Sequence, residues 1–328
     1  MIATEIQEET ERTFDGEHAP LSVVVPSYNH APFVEATLRS IMKQTLPPAK
    51  LLVIDDGSTD NSVQVIERVL NDCSFHSELI VRENRGLSAT LNEGFRRTHG
   101  DYFAYLGSDD LWLPDFLKAR VALLTARPSA VLAYGHAYFI DEHNAIVDST
   151  EDWGHYADGD AREMLLQTTA PMSPTVVYRR DALEHEHWNE GSKLEDYELY
   201  LRLSAAGEFA FDPRILSAWR RHGANVSWDQ SLMLEEQLRA QRAAALRFGF
   251  SKKQVDDLQR ATRFARAEDF LRVGQKSKAL GLMMTNARGA NSARLTARMF
   301  LRLLLPNSLL RRRTRTRQRN THERYGNL

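Results

Sequence analysis

The sequence predicts an α/β fold: a mostly parallel sheet flanked by helices, followed by a C-terminal helical extension. Three observations carry that expectation. Short β-branched runs alternate with amphipathic stretches through the first third of the chain. Each run ends in polar, turn-forming residues. From Ser231 onward the pattern is helical instead. Right-handed crossovers between parallel strands place all their carboxyl ends on one rim, where open α/β sheets bind ligands.

The elements follow in order. Residues 21–25 read as the first strand, which stops at Pro26, Ser27, Tyr28 and Asn29. Pro32 opens a helix with Val34, Leu38, Ile41 and Met42 on one face. Residues 51–54 form the second strand and run into Asp55-Asp56-Gly57-Ser58-Thr59-Asp60. The next helix turns Val63, Ile66, Val69 and Leu70 inward. Residues 79–81 are the third strand, ending at Glu83, Asn84, Arg85 and Gly86, and a helix covers 88–97. Residues 102–106 are a buried strand that meets Gly107, Ser108, Asp109 and Asp110. A helix follows Pro114, and residues 130–140 read as another strand. Residues 141–160 are expected to be loop, and 175–178 strand-like. A helix starts near Lys193, residues 209–211 and 215–219 are two short strands, and helices continue from 231 to about 305. The domain expectation is a disordered acidic leader over 1–19, a catalytic unit over 20–228 and a helical extension over 229–328 with a basic tail.

Composition narrows the function. Of 328 residues, 42% are hydrophobic and 26% charged, enough apolar content for a sizeable core. The net charge of -2 gives no global pull toward nucleic acid. The single cysteine, Cys73, allows no intrachain disulfide and fits a reducing cytoplasm. The acidic N-terminus does not read as a signal peptide, and no run approaches the ~18 apolar residues needed to span a bilayer.

Asp109 and Asp110 are neighbouring carboxylates at a strand end. They repel one another and favour a hard divalent cation, Mn²⁺ or Mg²⁺, with phosphate completing the shell. The alternative is that Asp110 caps a helix entered at Leu111. No Gly-x-Gly-x-x-Gly follows the first strand, which argues against the usual dinucleotide site.

Taken together, Pro26-Ser27-Tyr28-Asn29, Asp55-Asp56-Gly57-Ser58-Thr59-Asp60, Asn84-Arg85-Gly86, Ser108-Asp109-Asp110, Leu194-Glu195-Asp196-Tyr197-Glu198-Leu199 and Trp219-Arg220-Arg221-His222 with Asn225-Val226-Ser227 resemble, in order and spacing, the family-2 glycosyltransferases. The resemblance covers about residues 22–227 and implies a GT-A (Rossmann-like) fold and an inverting mechanism. It implies that Tyr28 stacks on a nucleotide base, with rim packing as its alternative. Asp56 accepts a hydrogen bond from the base; Asp55 shares that role or orients the loop through Ser58 and Thr59 in an Asx-type turn; Arg85 contacts base or phosphate, with a rim salt bridge as its alternative. Pro26, Ser108 and Arg220 belong to the same nucleotide-sugar-binding set. Asp109 matches the last residue of the family's Asp-x-Asp, the metal ligand, and His222 is a second ligand. Gly107 departs from that motif, where an Asp usually stands, and Trp219 replaces the more usual Tyr. Asp196 matches the general base that takes the acceptor's proton; stabilising a helix dipole is its alternative.

The implied reaction moves a sugar from a nucleotide-diphosphate sugar, a UDP-sugar first of all, to a hydroxyl of a glycan or lipid-linked acceptor in surface polysaccharide synthesis. Acceptor specificity is expected from residues 141–193, which hold Trp153, His155, Tyr156, His185, His187 and Trp188. The His185-x-His187 pair lacks a third zinc ligand. Residues 291–319 combine an apolar stretch with many arginines, an interfacial helix for an anionic membrane at its inner face, or else a helical cap with a solvated basic tail. The arginines have no interleaved aromatics, so nucleic acid is not expected as a partner. Gly107 keeps a second function open, a sugar-nucleotide-binding scaffold without catalysis. A nucleotidyltransferase is disfavoured, because residues 26–32 hold no Gly/Arg/Lys-rich phosphate loop.

Overall fold

The computed structural model describes residues 19–223, 229–290 and 292–328. The expected leader up to residue 18, and Asn225, Val226 and Ser227, lie outside the described residues. Ala19 already belongs to the first strand.

The catalytic half alternates as the sequence predicts: β1 (Ala19–Ser27), α1 (Val34–Met42), β2 (Pro48–Asp55), α2 (Ser62–Leu70), β3 (Ser77–Val81), α3 (Leu87–Arg97) and β4 (Tyr102–Tyr105). There follow β5 (Leu111–Trp112), α4 (Phe116–Ala126), β6 (Ala130–Ile140), β7 (Ile146–Ser149), α5 (Arg162–Leu166), β8 (Val177–Arg179), α6 (Arg180–Glu184), α7 (Glu195–Leu203) and β9 (Glu208–Arg220). The sheet order is β3-β2-β1-β4-β8-β6-β9-β5, with β7 on the flank of β6. β3, β2, β1 and β4 are mutually parallel, so their carboxyl ends share one edge. Beyond β4 the sheet is mixed: β8 is antiparallel to both β4 and β6, whereas β6 and β9 are parallel.

Strand alternation builds two cores. Val23 and Val25 face one apolar cluster with Leu38, Val53 and Phe116. Val24 faces the other, with Leu52, Leu91, Phe103 and Tyr105. Both clusters are closed to solvent, and each fully buried Val, Leu or Phe contributes about 1.5–3 kcal/mol.

Four features differ from the expectation. Leu111 does not enter a helix; Leu111 and Trp112 pair with Ala218 and Ser217 of β9, and α4 begins only at Phe116. The two short strands over 209–219 are one strand, β9, whose register against β6 shifts around His136. The loop over 141–160 contains β7, paired with β6. Helices do not end near residue 305; another spans Asn307–Tyr325.

The extension consists of α8 (Gln230–Arg247), α9 (Lys252–Arg272), α10 (Lys276–Thr285), α11 (Ala293–Leu304) and α12 (Asn307–Tyr325). A capping box between Ser251 and Gln254 starts α9. Leu234, Phe264, Phe270, Met283 and Met299 form its core. After α12 the chain returns to the catalytic half: Asn327 bridges Ala145, and Tyr325 packs on Tyr138 with ring centres 5.2 Å apart.

Candidate active site

The shared edge of β1, β2 and β4 brings four loops together, and hydrogen bonds lace them. Asn29, held at φ 53°, a conformation Asn tolerates, begins the lacing. Its N–H donates to Ser58 Oγ at 2.8 Å, and its Oδ1 accepts from the Thr59 N–H at 2.8 Å. The His30 and Ala31 N–H groups donate to Ser62 Oγ and Asp60 Oδ2. Asp55 is fully buried and accepts from the Ser58 N–H and Oγ and from Ser27 Oγ, so it shapes its own loop. Gly57 sits at φ 82°, and a Cβ there would lie 2.9 Å from the Asn84 nitrogen. Only glycine lets the second and third loops approach so closely.

Asp56 is tied to the third loop. Its carboxylate accepts from the Arg85 N–H at 2.9 Å and the Gly86 N–H at 2.7 Å, and Arg82 Nη1 lies 2.5 Å away. A carboxylate has about four acceptor positions, so three are filled and one remains for a ligand N–H. The Arg85 guanidinium is more than half exposed and reaches Glu93 at 3.5 Å. Tyr28 is 47% exposed on the same rim. Pro26 is buried in β1 opposite Ile54.

The fourth loop brings Asp109 between two histidines from other loops. His222 Nε2 lies 2.8 Å from Asp109 Oδ2. On the other side, His30 Nδ1 is 3.9 Å from Asp109 Oδ1 and 2.8 Å from the buried Ser108 Oγ. His30, Asp109 and His222 each offer a ligand atom, all within 4.8 Å of one another, the one such trio among the described residues. Burial holds the His30 imidazole below its ordinary pKa, with Asp109 opposing; a neutral imidazole is the form that binds metal.

Asp110 does not join this trio. It is buried, its Oδ1 accepts the Arg220 N–H at 2.9 Å, and burial first, then the charge of Asp109, raises its carboxyl well above the usual range. Arg220 is also turned inward, 1% exposed. Its Nε donates to the Asp109 carbonyl at 2.7 Å and its Nη1 to the Asp141 carbonyl at 2.8 Å, with the guanidinium 4.9 Å from the Phe33 ring centre. The position of Gly107 has a steric logic: a Cβ there would stand 2.9 Å from Asp109 Oδ1 and 3.2 Å from Asp110 Oδ2.

Asp196 occupies the first turn of α7, where the helix dipole favours an anion. The Tyr105 hydroxyl makes a short hydrogen bond to its Oδ2, and the Trp188 indole N–H donates to Oδ1 at 3.3 Å. Burial pushes the Asp196 carboxyl up to about 6, and these two donors oppose the rise. Glu195 is pushed up to about 8 by burial and by the charge of Asp196. Trp188 is 2% exposed and clamped by Asn92, whose amide oxygen accepts its N–H at 3.0 Å and whose Nδ2 donates to its carbonyl at 2.9 Å. It is therefore a holder of Asp196 rather than a surface for sugar; Trp153, in the same expected region, is exposed. His185 and His187 are exposed and, among the described residues, belong to no metal-ligating trio.

Tyr105 links the two corners, since β4 holds it four residues before Asp109. The sequence reading missed His30, Tyr105 and the donor role of Trp188. His30 directly follows Tyr28-Asn29 at a strand end, and that place on the rim is the signal that could have found it. Tyr105 was hidden by its resemblance to any apolar core residue of β4.

Comparison with known proteins bears on these motifs. The profile described as Glycosyl transferase family 2 matches residues 22–186, half of the chain. Chondroitin synthase from Escherichia coli is 26% identical over 208 residues, which cover 63% of this chain and 30% of the synthase. The chain spans about half of the length, or less, of several curated relatives it matches. TarS 1-349 from S. aureus, solved with UDP-GlcNAc, superposes with a TM-score of 0.61 at 17% identity, covering 93% of this chain and 91% of TarS. The mannosyltransferase PcManGT from Pyrobaculum calidifontis, solved with GDP-Man and Mn²⁺, gives 0.58 at 18% identity, covering 97% and 90%. These two likenesses establish the GT-A fold. The profile match ends before Asp196, Arg220 and His222.

Proposed function

Because the chain belongs to glycosyl transferase family 2, we propose that it transfers a sugar from a nucleotide-diphosphate sugar, a UDP-sugar, to a hydroxyl of a glycan or lipid-linked acceptor, with inversion. Synthesis of a surface polysaccharide is the setting, in keeping with its likeness to a chondroitin synthase. One observation carries the reading: a buried carboxylate, Asp196, is held by Tyr105 at the end of β4, four residues before Asp109, which His30 and His222 flank.

In this reading Tyr28 stacks on the base and Asp56 accepts its N–H, while Pro26, Ser108 and the exposed Arg85 line the nucleotide. His30, Asp109 and His222 would hold a divalent cation. Two imidazoles and one carboxylate suit Mn²⁺ better than Mg²⁺, and a structural neighbour was solved with Mn²⁺. When bound, such an ion neutralises charge on the diphosphate. Arg220 acts as a positioning residue, fixing the Asp109 backbone from behind. Asp196 takes the acceptor hydroxyl's proton as that oxygen bonds to the anomeric carbon; the bond to the diphosphate oxygen breaks on the opposite face. Its elevated pKa makes it a stronger base than an exposed carboxylate, yet leaves it ionised near neutral pH.

The test is a donor panel with Mn²⁺, reading nucleoside diphosphate release and the anomeric configuration of the product. The proposal expects release from one donor class, an acceptor-dependent rate, and inverted product. Tight donor binding with no release in the presence of any glycan or lipid acceptor would favour the scaffold function instead.

A further inference from the structure

Away from the catalytic rim, α10 and α11 leave an apolar face without a partner among the described residues. Leu280 and Met284 of α10 and Phe300, Leu301 and Leu304 of α11 are all exposed, Leu304 by 82%. Between the helices lies a shallow groove of about 440 Å³, lined by Lys276, Ser277, Leu280, Phe300, Leu303 and Leu304. An isolated exposed leucine is ordinary, whereas a contiguous apolar strip on adjacent helices marks an interaction surface.

The surrounding charge identifies the partner. From Phe270 to His322 the sequence holds thirteen Lys or Arg residues and no Asp or Glu, although the chain as a whole is slightly acidic. Arg288 and Arg294 are exposed beside the strip. Arg298 and Arg302 instead pair with Glu268, a buried acid of α9. Lys276 donates to the Leu303 and Leu305 carbonyls and closes the end of α11. The basic helix α12 follows directly after the strip. An apolar face rimmed by cations, with no anion of its own, complements a surface with anionic heads over hydrocarbon. A second copy of the chain would bring two basic segments together, and nucleic acid would leave the leucines in water.

We propose that the α10–α11 face docks the protein onto an anionic lipid bilayer. Leu280, Met284, Phe300, Leu301 and Leu304 enter the head-group boundary, and Arg288 and Arg294 meet lipid phosphates. The structure adds a consequence for the active site. α12 leads from this face to the turn at Ala145, where Asn327 bridges Ala145 and the Leu328 N–H donates to the Asn144 carbonyl. The Asp141 carbonyl of that same turn accepts Arg220. One helix thus connects the docking face to the turn that receives Arg220, which in turn holds the Asp109 carbonyl.

The test is co-sedimentation of the full chain with vesicles of phosphatidylcholine alone, or mixed with phosphatidylglycerol. Binding to the mixed vesicles only is expected, weakening as salt rises from about 0.1 M to about 1 M and the Debye length shortens from roughly 10 Å to roughly 3 Å. Leu301→Asp with Leu304→Asp, both at exposed positions, is expected to weaken binding on the order of 100-fold. Arg288→Ser and Arg294→Ser are each expected to weaken it about fivefold. Circular dichroism and donor-binding affinity, unchanged in all variants, exclude misfolding. Four results would overturn the proposal: no vesicle binding, equal binding to neutral vesicles, full binding by the double Asp variant, or a stable dimer that this variant dissolves.

Discussion

Replacing Tyr105 with Phe tests how the site tunes its base. The phenol hydroxyl donates to Asp196 Oδ2, and among the described residues the only other side-chain donor on that carboxylate is Trp188, by a longer bond. Tyr105 is almost fully buried and Phe keeps its ring, so the packing against Trp188, 5.9 Å between ring centres, survives. A hydrogen bond to a charged group contributes about 1.5–3 kcal/mol, and one pKa unit is about 1.4 kcal/mol. The sign is fixed by which form the bond favours. The hydroxyl donates to the ionised carboxylate, so removing it raises the pKa from about 6, to roughly 7–8 by the same arithmetic. A base must be ionised to accept a proton, so the acidic limb of the kcat profile moves to higher pH. At pH 6 the variant is expected to be about 5- to 50-fold slower, and near pH 9 within about twofold of the parent. The assay is nucleoside diphosphate release across pH with saturating donor and acceptor. A limb that stays in place, or a rate loss equal at every pH, would refute the tuning argument and leave Tyr105 a packing role.

Three further substitutions probe the other corner. Gly107→Ala puts a methyl 2.9 Å from Asp109 Oδ1; Mn²⁺ affinity by calorimetry is expected to fall on the order of tenfold with the fold intact, and unchanged affinity would show that Asp109 is not the ligand. His30→Ala removes one of three candidate ligands, so metal affinity should drop by about 10- to 100-fold while metal-free thermal stability changes little. Arg220→Met strands the Asp109 and Asp141 carbonyls, each unsatisfied group costing about 1–3 kcal/mol; a clear fall in melting temperature is expected, whereas a stable variant that merely loses donor affinity would indicate direct phosphate contact.

The parts of this molecule legible in the sequence are those set by local pattern. Val23, Val24 and Val25 mark a two-faced strand by side-chain type alone, and Asp55-Asp56 and Asp109-Asp110 announce strand ends because carboxylates cannot continue a buried run. What remained hidden depends on residues far apart in sequence. Leu111 and Trp112 are a strand only because β9 lies alongside, about a hundred residues later. Arg220 faces inward because the Asp141 carbonyl is there to receive it. Trp188 reads as an aromatic suited to a sugar until Asn92 turns its indole N–H onto Asp196. The arginines of residues 291–319 read as a basic group, yet Glu268, on another helix, pairs with Arg298 and Arg302.

The assignment of Asp196 as the lone proton acceptor opposite the donor is tested most directly by Asp196→Asn, which keeps size and shape while removing basicity. Donor affinity should stay within about twofold and sugar transfer should fall by about 10²- to 10⁴-fold. Transfer at the parental rate, or donor affinity lost in step with activity, would contradict it.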